Sequence, residues 1–200
     1  MENNYWIEDG LLIFKPSFNE DLINYYDIIN KYKKIIFSNY NDPLIAIKTN
    51  NKNENEIEYD YNYIENKFNK EIDLSNNINL THLTFGCNFN KKINISLNIK
   101  SINMYGCNNQ FIIDNLHNNI EELKIYETNL NLDNLPNSIK KIYINYYKKE
   151  LNNLPNSIEY LELIDYNLKI RKFPKNLKTI KCDKHYKYID DFKDYTVIKN

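Results

Sequence analysis

Small and conformationally special residues are scarce in this chain of 200 residues. It contains only three glycines, Ala46 is its single alanine, and Arg171 is its single arginine. A phosphate-cradling loop or a dinucleotide fingerprint needs closely spaced glycines, which Gly10, Gly86 and Gly106 do not provide. With so little alanine, long helices are disfavoured, and the abundant β-branched and aromatic residues favour strands instead.

Long apolar runs and an N-terminal targeting signal are also missing, since no run approaches the roughly 18 residues that a membrane span needs. We therefore expect an intracellular, cytoplasmic protein with no membrane partner. The formal net charge is −1, from 26 basic and 27 acidic residues mixed along the chain. No strong overall field would steer such a chain to nucleic acid. Its three cysteines cannot all pair, and reduced, buried thiols are expected.

The dominant positive signal is a repeated phrase, Leu-Pro-Asn-Ser-Ile, which occurs at positions 135–139 and again at 154–158. Aligning apolar-x-x-apolar-x-apolar triplets extends this period to six units with nearly constant spacing. The triplets are Leu80/Leu83/Phe85, Ile99/Ile102/Met104, Ile120/Leu123/Ile125, Ile139/Ile142/Ile144, Ile158/Leu161/Leu163 and Leu177/Ile180/Cys182. A fixed period of about 19 residues is the signature of a solenoid, in which each unit buries its apolar face against its neighbours.

Units this short leave little room for a helix, and proline follows an apolar residue in the last three of them, at Pro136, Pro155 and Pro174. Because proline cannot donate a ladder hydrogen bond, we expect irregular, helix-free return segments. The predicted fold class is therefore a mainly β solenoid of parallel strands with short repeats. We divide it into an N-terminal α/β capping region at 1–67, six repeats at 68–184 and a C-terminal cap at 185–200, all in one structural domain.

The capping region holds one predicted helix. Ser-Phe-Asn-Glu at residues 17–20 matches a capping box, in which the hydroxyl and the carboxylate satisfy backbone N–H groups at a helix start. Apolar residues follow at helical spacing, so a helix is predicted over 18–32, covering the open end of the solenoid. Short apolar runs predict strands at 11–14, 35–37 and 44–47.

The residues between the strand anchors point outward, because side chains alternate along a strand. Successive units align them in three rows, which begin at His82, Thr84 and Gly86. Tyrosine and mixed charge on these rows suit recognition, and solenoids use their concave strand face for it, although the tyrosines could merely reflect composition. Our candidate partner-binding residues are Tyr105, Lys124, Tyr126, Lys141, Tyr143, Tyr160 and Glu162.

No catalytic, cofactor or metal site emerges from the sequence. His82, His117 and His185 lie far apart and lack metal-ligand spacing. A nucleophile pairing of Cys87 with His82 competes with a plain repeat position, because Gly-Cys-Asn recurs at 106–108 and would stack the two cysteines. We favour the plain repeat position and expect no cofactor.

Asparagine makes up about a fifth of the chain, which AT-rich codon usage alone would explain. Four asparagines after the strands could nonetheless bond neighbouring backbone as a ladder. They are Asn88, Asn108, Asn129 and Asn167.

The basic stretch Lys169–Lys187 could be a nucleic-acid patch, but the near-absence of arginine favours a lysine-decorated last repeat, with the apolar residues that follow sealing the C-terminal edge.

The segment Leu-Thr-His-Leu-Thr-Phe-Gly-Cys-Asn-Phe-Asn-Lys-Lys-Ile at 80–93 resembles the FNIP repeat, a relative of the leucine-rich repeat found in social amoebae and in giant viruses that infect amoebae. Phe-Asn recurs at 68–69, and the Leu-Pro-Asn-Ser-Ile phrases match the proline-containing segment of the repeat. The resemblance spans 68–182 and implies a leucine-rich-repeat-like solenoid. Because Phe-Asn is absent after Asn90, we expect the later units to be closer to generic short leucine-rich repeats.

The patterning and the resemblance favour a monomeric, non-catalytic scaffold for protein–protein interaction, with a protein partner that the sequence does not identify. Members of this family often carry an F-box before the repeats. That implies an alternative, a substrate receptor of a ubiquitin ligase with a degenerate or missing F-box. An F-box has three helices, and the single predicted N-terminal helix disfavours it. If the protein is viral, its expected location is the host cytoplasm.

Overall fold

The computed structural model of the protein describes residues 3–41, 46 and 64–199. Its strands are β1 (Tyr5–Glu8), β2 (Leu11–Phe14), β3 (Lys34–Phe37), β4 (Ile72–Leu74), β5 (His82–Phe85), β6 (Ile93–Ile95), β7 (Ser101–Tyr105), β8 (Glu122–Tyr126), β9 (Lys141–Asn145), β10 (Tyr160–Ile164), β11 (Thr179–Cys182) and β12 (Thr196–Lys199). Ten of them form one sheet in chain order, and β4 pairs separately with β6. The pairs are parallel except for the β1–β2 hairpin at the N-terminal edge.

The register of the sheet is that of the sequence repeat. Leu83 pairs with Ile102 and Ile102 with Leu123, and the same column continues one unit at a time to Ile180. Every anchor in this column is at most 1% exposed. Burying one such side chain stabilises the fold by about 1.5–3 kcal/mol. The structure confirms the predicted β-solenoid of parallel strands and its short repeat.

The repeated phrase forms the turn that leads into a strand. In its second copy, the carbonyl of Pro155 accepts a hydrogen bond from the N–H of Ile158 at 3.3 Å. The Ser157 hydroxyl donates to the carbonyl of Ile139 in the preceding unit at 2.8 Å. The first copy makes the equivalent two bonds at 3.3 and 2.6 Å. Leu-Pro-Asn-Ser-Ile is therefore a connector between units as well as a turn within one.

One return segment contains a helix, contrary to the expectation that none would. Helix α2 (Gln110–Asp114) lies between β7 and β8, in the longest of the aligned units, which runs from Ile99 to Ile120. Asn109 caps this helix by accepting a hydrogen bond from the N–H of Phe111 at 3.2 Å. The longer unit gives the chain room for this turn, whereas the described connections from β8 to β11 contain no helix.

The N-terminal helix is shorter than predicted. A 3₁₀ turn at Leu22–Tyr25 runs into α1 (Tyr26–Ile29), so the helical segment covers 22–29 rather than 18–32. The capping box does not form, because the Glu20 carboxylate accepts hydrogen bonds from Asn4 at 2.6 Å and from the Tyr25 hydroxyl at 2.5 Å instead. The segment lies between β2 and β3, and β1 lies at the open end that the helix was expected to cover.

The Phe-Asn pair at 18–19 shows that the repeat geometry begins before residue 68. Two columns of stacked phenylalanines cross the first three parallel units. One column is Phe14, Phe37 and Phe85, with ring centroids 5.2 and 6.5 Å apart, and the other is Phe18, Phe68 and Phe89, at 5.4 and 5.8 Å. The N–H of Asn69 donates to the side-chain oxygen of Asn19, and that of Asn90 to Asn69, both at 3.0 Å.

The middle unit of the three carries an insertion. The two columns are separated by a short turn in the first and third units, whereas the whole stretch 38–67 separates Phe37 from Phe68. The side-chain amide of Asn66 closes the insertion by donating to the carbonyl of Ser38 at 2.6 Å. Gly86 packs on this junction, since a Cβ there would lie 2.5 Å from the Cβ of Asn66. Both ends of the insertion are therefore fixed to the array.

The strand predicted at 44–47 lies outside the described residues except for Ala46, which is helical. Ala46 is 1% exposed and belongs to a small apolar cluster with Leu11, Ile13 and Ile36. Since these three lie on β2 and β3, Ala46 covers the sheet at its N-terminal end. The asparagine ladder, which the sequence left open beside codon usage, does not form as a continuous feature. Asn129 does bond the preceding member at 2.6 Å, but Asn88 bonds Glu65 instead at 3.4 Å.

The C-terminal end of the array is closed by Tyr186 and Phe192, which are both buried, and β12 continues the sheet beside β11. A 3₁₀ turn at Ile189–Phe192 precedes this last strand. Ile198, expected to help seal this edge, is 45% exposed and pairs with Lys181. Within the part of the chain that the structure describes, no helix is long and apolar enough to cross a membrane.

Candidate interaction surface

The outward residues of β5 and β7 to β11 form the predicted binding surface, which we call the strand face. The register aligns them in the rows that the sequence predicts, so that Lys124, for example, lies beside Tyr143. Strand β3 extends the first row, because Lys34 pairs with His82. All seven candidate residues therefore lie on one face of one sheet.

The seven candidates differ in exposure. One is exposed (Lys141) and four are half-buried (Tyr105, Lys124, Tyr143 and Tyr160). Tyr126 and Glu162 are only 5% and 3% exposed. Such buried side chains offer little area to a partner.

Glu162 is held by its neighbours in the sheet. The Tyr160 hydroxyl donates to this carboxylate at 2.7 Å, and the ammonium of Lys181 lies 3.5 Å from it. Burial raises the pKa of Tyr160 above its ordinary value, and the bond to Glu162 raises it further. The buried carboxylate is thus satisfied internally and fixes the Tyr160 ring.

Glu122 forms a second network of the same kind. It accepts a hydrogen bond from Ser101 at 3.0 Å and a longer one from Tyr143 at 3.5 Å. Within the described residues its ion-pair partner is Lys124, at 3.8 Å, rather than Lys141, which lies beside it in the register. The Lys124 ammonium also lies 5.1 Å from the centre of the Tyr143 ring. Burial, with the nearby carboxylates, raises the pKa of Tyr143 to about 12.

A cavity of about 280 Å³ opens on the strand face between β3 and β8. Its apolar lining includes Leu11 and Ile36, and its polar lining consists of Lys34, His82, Thr84, Ser101, Asn103, Glu122 and Lys124. Sequence reasoning missed Lys34 because it assigned residues 1–67 to a cap. The Phe-Asn pair at 18–19 was the signal that β2 and β3 already follow the repeat geometry.

His82 does not join Ser101 and Glu122 in a hydrogen-bonded relay. Ser101 donates to Glu122, and Nδ1 of His82 lies 2.8 Å from the Thr81 hydroxyl. Burial and the neighbouring lysines lower the pKa of His82. Burial also raises the pKa of the Cys107 thiol to about 12, so it stays protonated at neutral pH. No group of three or more metal-ligating side chains occurs in residues 3–41, 46 and 64–199.

Comparison with known proteins gives one family match. The FNIP Repeat family model matches residues 126–166, from the end of β8 through β10, so the predicted resemblance is confirmed there. The expectation that these later units would be more generic repeats is wrong, because they are the ones that match. No curated protein matches the chain.

One solved structure is similar to the chain. It is described as the crystal structure of CroV588, a novel circular LRR protein, with 22% sequence identity and a TM-score of 0.46. The alignment covers 92% of this chain and 38% of the other, so this chain spans well under half the length of that protein.

Proposed function

Because residues 126–166 match the FNIP repeat and the parallel sheet keeps the same register on both sides of them, we propose that this protein is a non-catalytic protein–protein interaction scaffold. Its partner binds the strand face. The observation that carries the proposal is the arrangement of Tyr143 and Tyr160, whose rings lie 5.4 Å apart on adjacent strands. Tyrosines supply large contact areas at low cost in conformational entropy.

The two glutamate networks support this function by holding the aromatic side chains before a partner arrives. Tyr160 is fixed by its bond to Glu162, and Tyr143 by Glu122 and the Lys124 ammonium. Side chains that are already ordered lose less entropy on association, which raises the affinity of the surface.

The test is quantitative affinity capture with the full-length protein as bait, followed by mass spectrometry. The Tyr143→Ala/Tyr160→Ala double variant should capture at least ten-fold less of the specific partner than the wild type does, while it retains the circular dichroism spectrum of the wild type. Phe111→Ala is the matched control, because this aromatic residue is 37% exposed but lies on the return side of the array. Equal capture by the double variant and the wild type would refute the assignment.

The alternative, a ubiquitin-ligase substrate receptor, remains a prediction from the resemblance. Residues 3–41 contain three strands and one short helical segment, which no observation links to a three-helix F-box. Direct binding of the full chain to a ligase adaptor subunit, measured by calorimetry, would favour this alternative.

A further inference from the structure

The strand face carries more basic than acidic side chains. Its first two rows, from β3 to β11, hold four lysines but only two glutamates. Each glutamate, Glu122 and Glu162, has a lysine of the same face within 4 Å. Within the described residues, no carboxylate forms an ion pair with Lys34 or Lys141. Among the described residues, the face therefore has a surplus of positive charge that an acidic partner would complement.

Part of this surplus lies at the 280 Å³ cavity, which is lined by Lys34, Lys124 and Glu122, with Ser101 and Asn103 as further polar groups. Because Glu122 lies 3.8 Å from the Lys124 ammonium, the excess positive charge of the cavity is that of Lys34. Burial lowers the pKa of Lys124; Glu122 and Glu162 oppose this shift, and the weaker effects of Lys34 and Lys141 add to it. At about 30 Å³ per water molecule, the cavity has room for a whole side chain rather than one ion.

We propose that this cavity is the anchoring subsite of the strand face and takes a glutamate or aspartate side chain from an extended acidic segment of the partner protein. The inference rests on the proposed interaction function. Lys34 and Lys124 bind the incoming carboxylate, and charge-assisted hydrogen bonds of this kind are stronger than neutral ones. Lys141 contacts the next acidic residue along the segment.

The experiment measures fluorescence anisotropy of fluorescein-labelled hexaglutamate with the full-length protein at low salt, and hexaglutamine is the uncharged reference probe. Lys34→Met and Lys124→Met should each weaken hexaglutamate binding at least ten-fold. Lys175→Met is the matched control, since Lys175 is exposed in the return turn before β11, and it should leave binding unchanged. Because Lys34 is an exposed residue, its variant tests the subsite even if Lys124→Met does not fold.

Three outcomes would overturn the proposal. Hexaglutamate does not bind, it binds no better than hexaglutamine, or both lysine variants bind as well as Lys175→Met. If any of these occurs while partner capture still depends on Tyr143 and Tyr160, the subsite inference fails and the interaction function stands. If capture is also independent of these tyrosines, the function itself fails.

The chain has an acidic run of its own, which the experiment must distinguish from a partner. Glu54, Glu56, Glu58 and Asp60 lie outside the described residues. A variant with glutamine and asparagine at these positions should bind hexaglutamate as the wild type does. Binding that occurs only in this variant would show that the chain's own run competes for the cavity, and it would overturn the assignment to a partner.

Discussion

Replacement of Phe68 by alanine should lower the free energy of unfolding by about 3–5 kcal/mol, the range for truncating a buried aromatic residue. The ring is 0% exposed, and its centroid lies 4.2 Å from that of Phe37 and 5.4 and 5.8 Å from those of Phe18 and Phe89. Phe68→Leu keeps most of the apolar burial and loses the stacking, which contributes about 0.5–1.5 kcal/mol per aromatic pair. Its cost should therefore be smaller than that of alanine.

Urea unfolding followed by two signals tests this expectation. Trp6, the only tryptophan, lies in β1 at the N-terminal edge, so its fluorescence reports on that end. Far-UV circular dichroism reports on the whole sheet. Both transitions should shift together in Phe68→Ala, because the phenylalanine columns join the N-terminal strands to the later units.

Phe111→Ala is again the control, since a partly exposed phenylalanine should cost much less than a fully buried one. The reasoning is refuted if Phe68→Ala costs no more than Phe111→Ala. It is also refuted if Phe68→Ala shifts only the Trp6 signal and leaves the circular dichroism transition in place.

Three further expectations concern turns and phenols. Gly86→Ala should lower the thermal midpoint, at a cost of about 1–3 kcal/mol, because the added Cβ would lie 2.5 Å from that of Asn66; an unchanged midpoint would contradict this packing. Glu127→Gly should raise the free energy of unfolding by about 1 kcal/mol, because Glu127 has φ of 49°, a conformation that glycine adopts without strain. Glu121→Gly is the control and should destabilise the protein. A lower thermal midpoint for Glu127→Gly would contradict the strain. Burial raises the pKa of Tyr143 from 10.0 to about 12. The contribution of its neutral phenol to folding stability is therefore fully present below pH 10 and is lost as pH rises toward 12. Phenolate absorbance of the folded protein should therefore lag that of the urea-unfolded chain, and coincident titrations would exclude the burial.

The sheet register could be predicted from the sequence because neighbouring parallel strands inherit the spacing of the units. The constant step between units, as from Ile142 to Leu161, fixes which side chains are lateral neighbours, and this also placed all seven candidate residues on one face. How deeply each side chain is buried could not be predicted in the same way. Alternation gives the direction of a side chain, whereas the burial of Tyr126 and Glu162 depends on how neighbouring side chains fold over them.

The N-terminal units escaped sequence reasoning for two physical reasons. Phe18 and Asn19 fit both a helix start and a repeat rung, and the rung formed because two more Phe-Asn pairs were available to stack on it. The insertion between Phe37 and Phe68 then interrupts the constant period. The cavity was missed for the same reason, since one of its walls is β3.

The bond from Ser157 to the carbonyl of Ile139 has a consequence for how such an array changes by gene duplication. The connector joins a side chain of one unit to a main-chain atom of the unit before it, and every residue type offers that atom. A copied unit therefore carries the donor hydroxyl, and the backbone carbonyl that accepts its hydrogen bond is already present in the preceding unit. As far as this joint is concerned, units can be gained or lost without compensating substitutions, and each added unit adds one strand to the strand face.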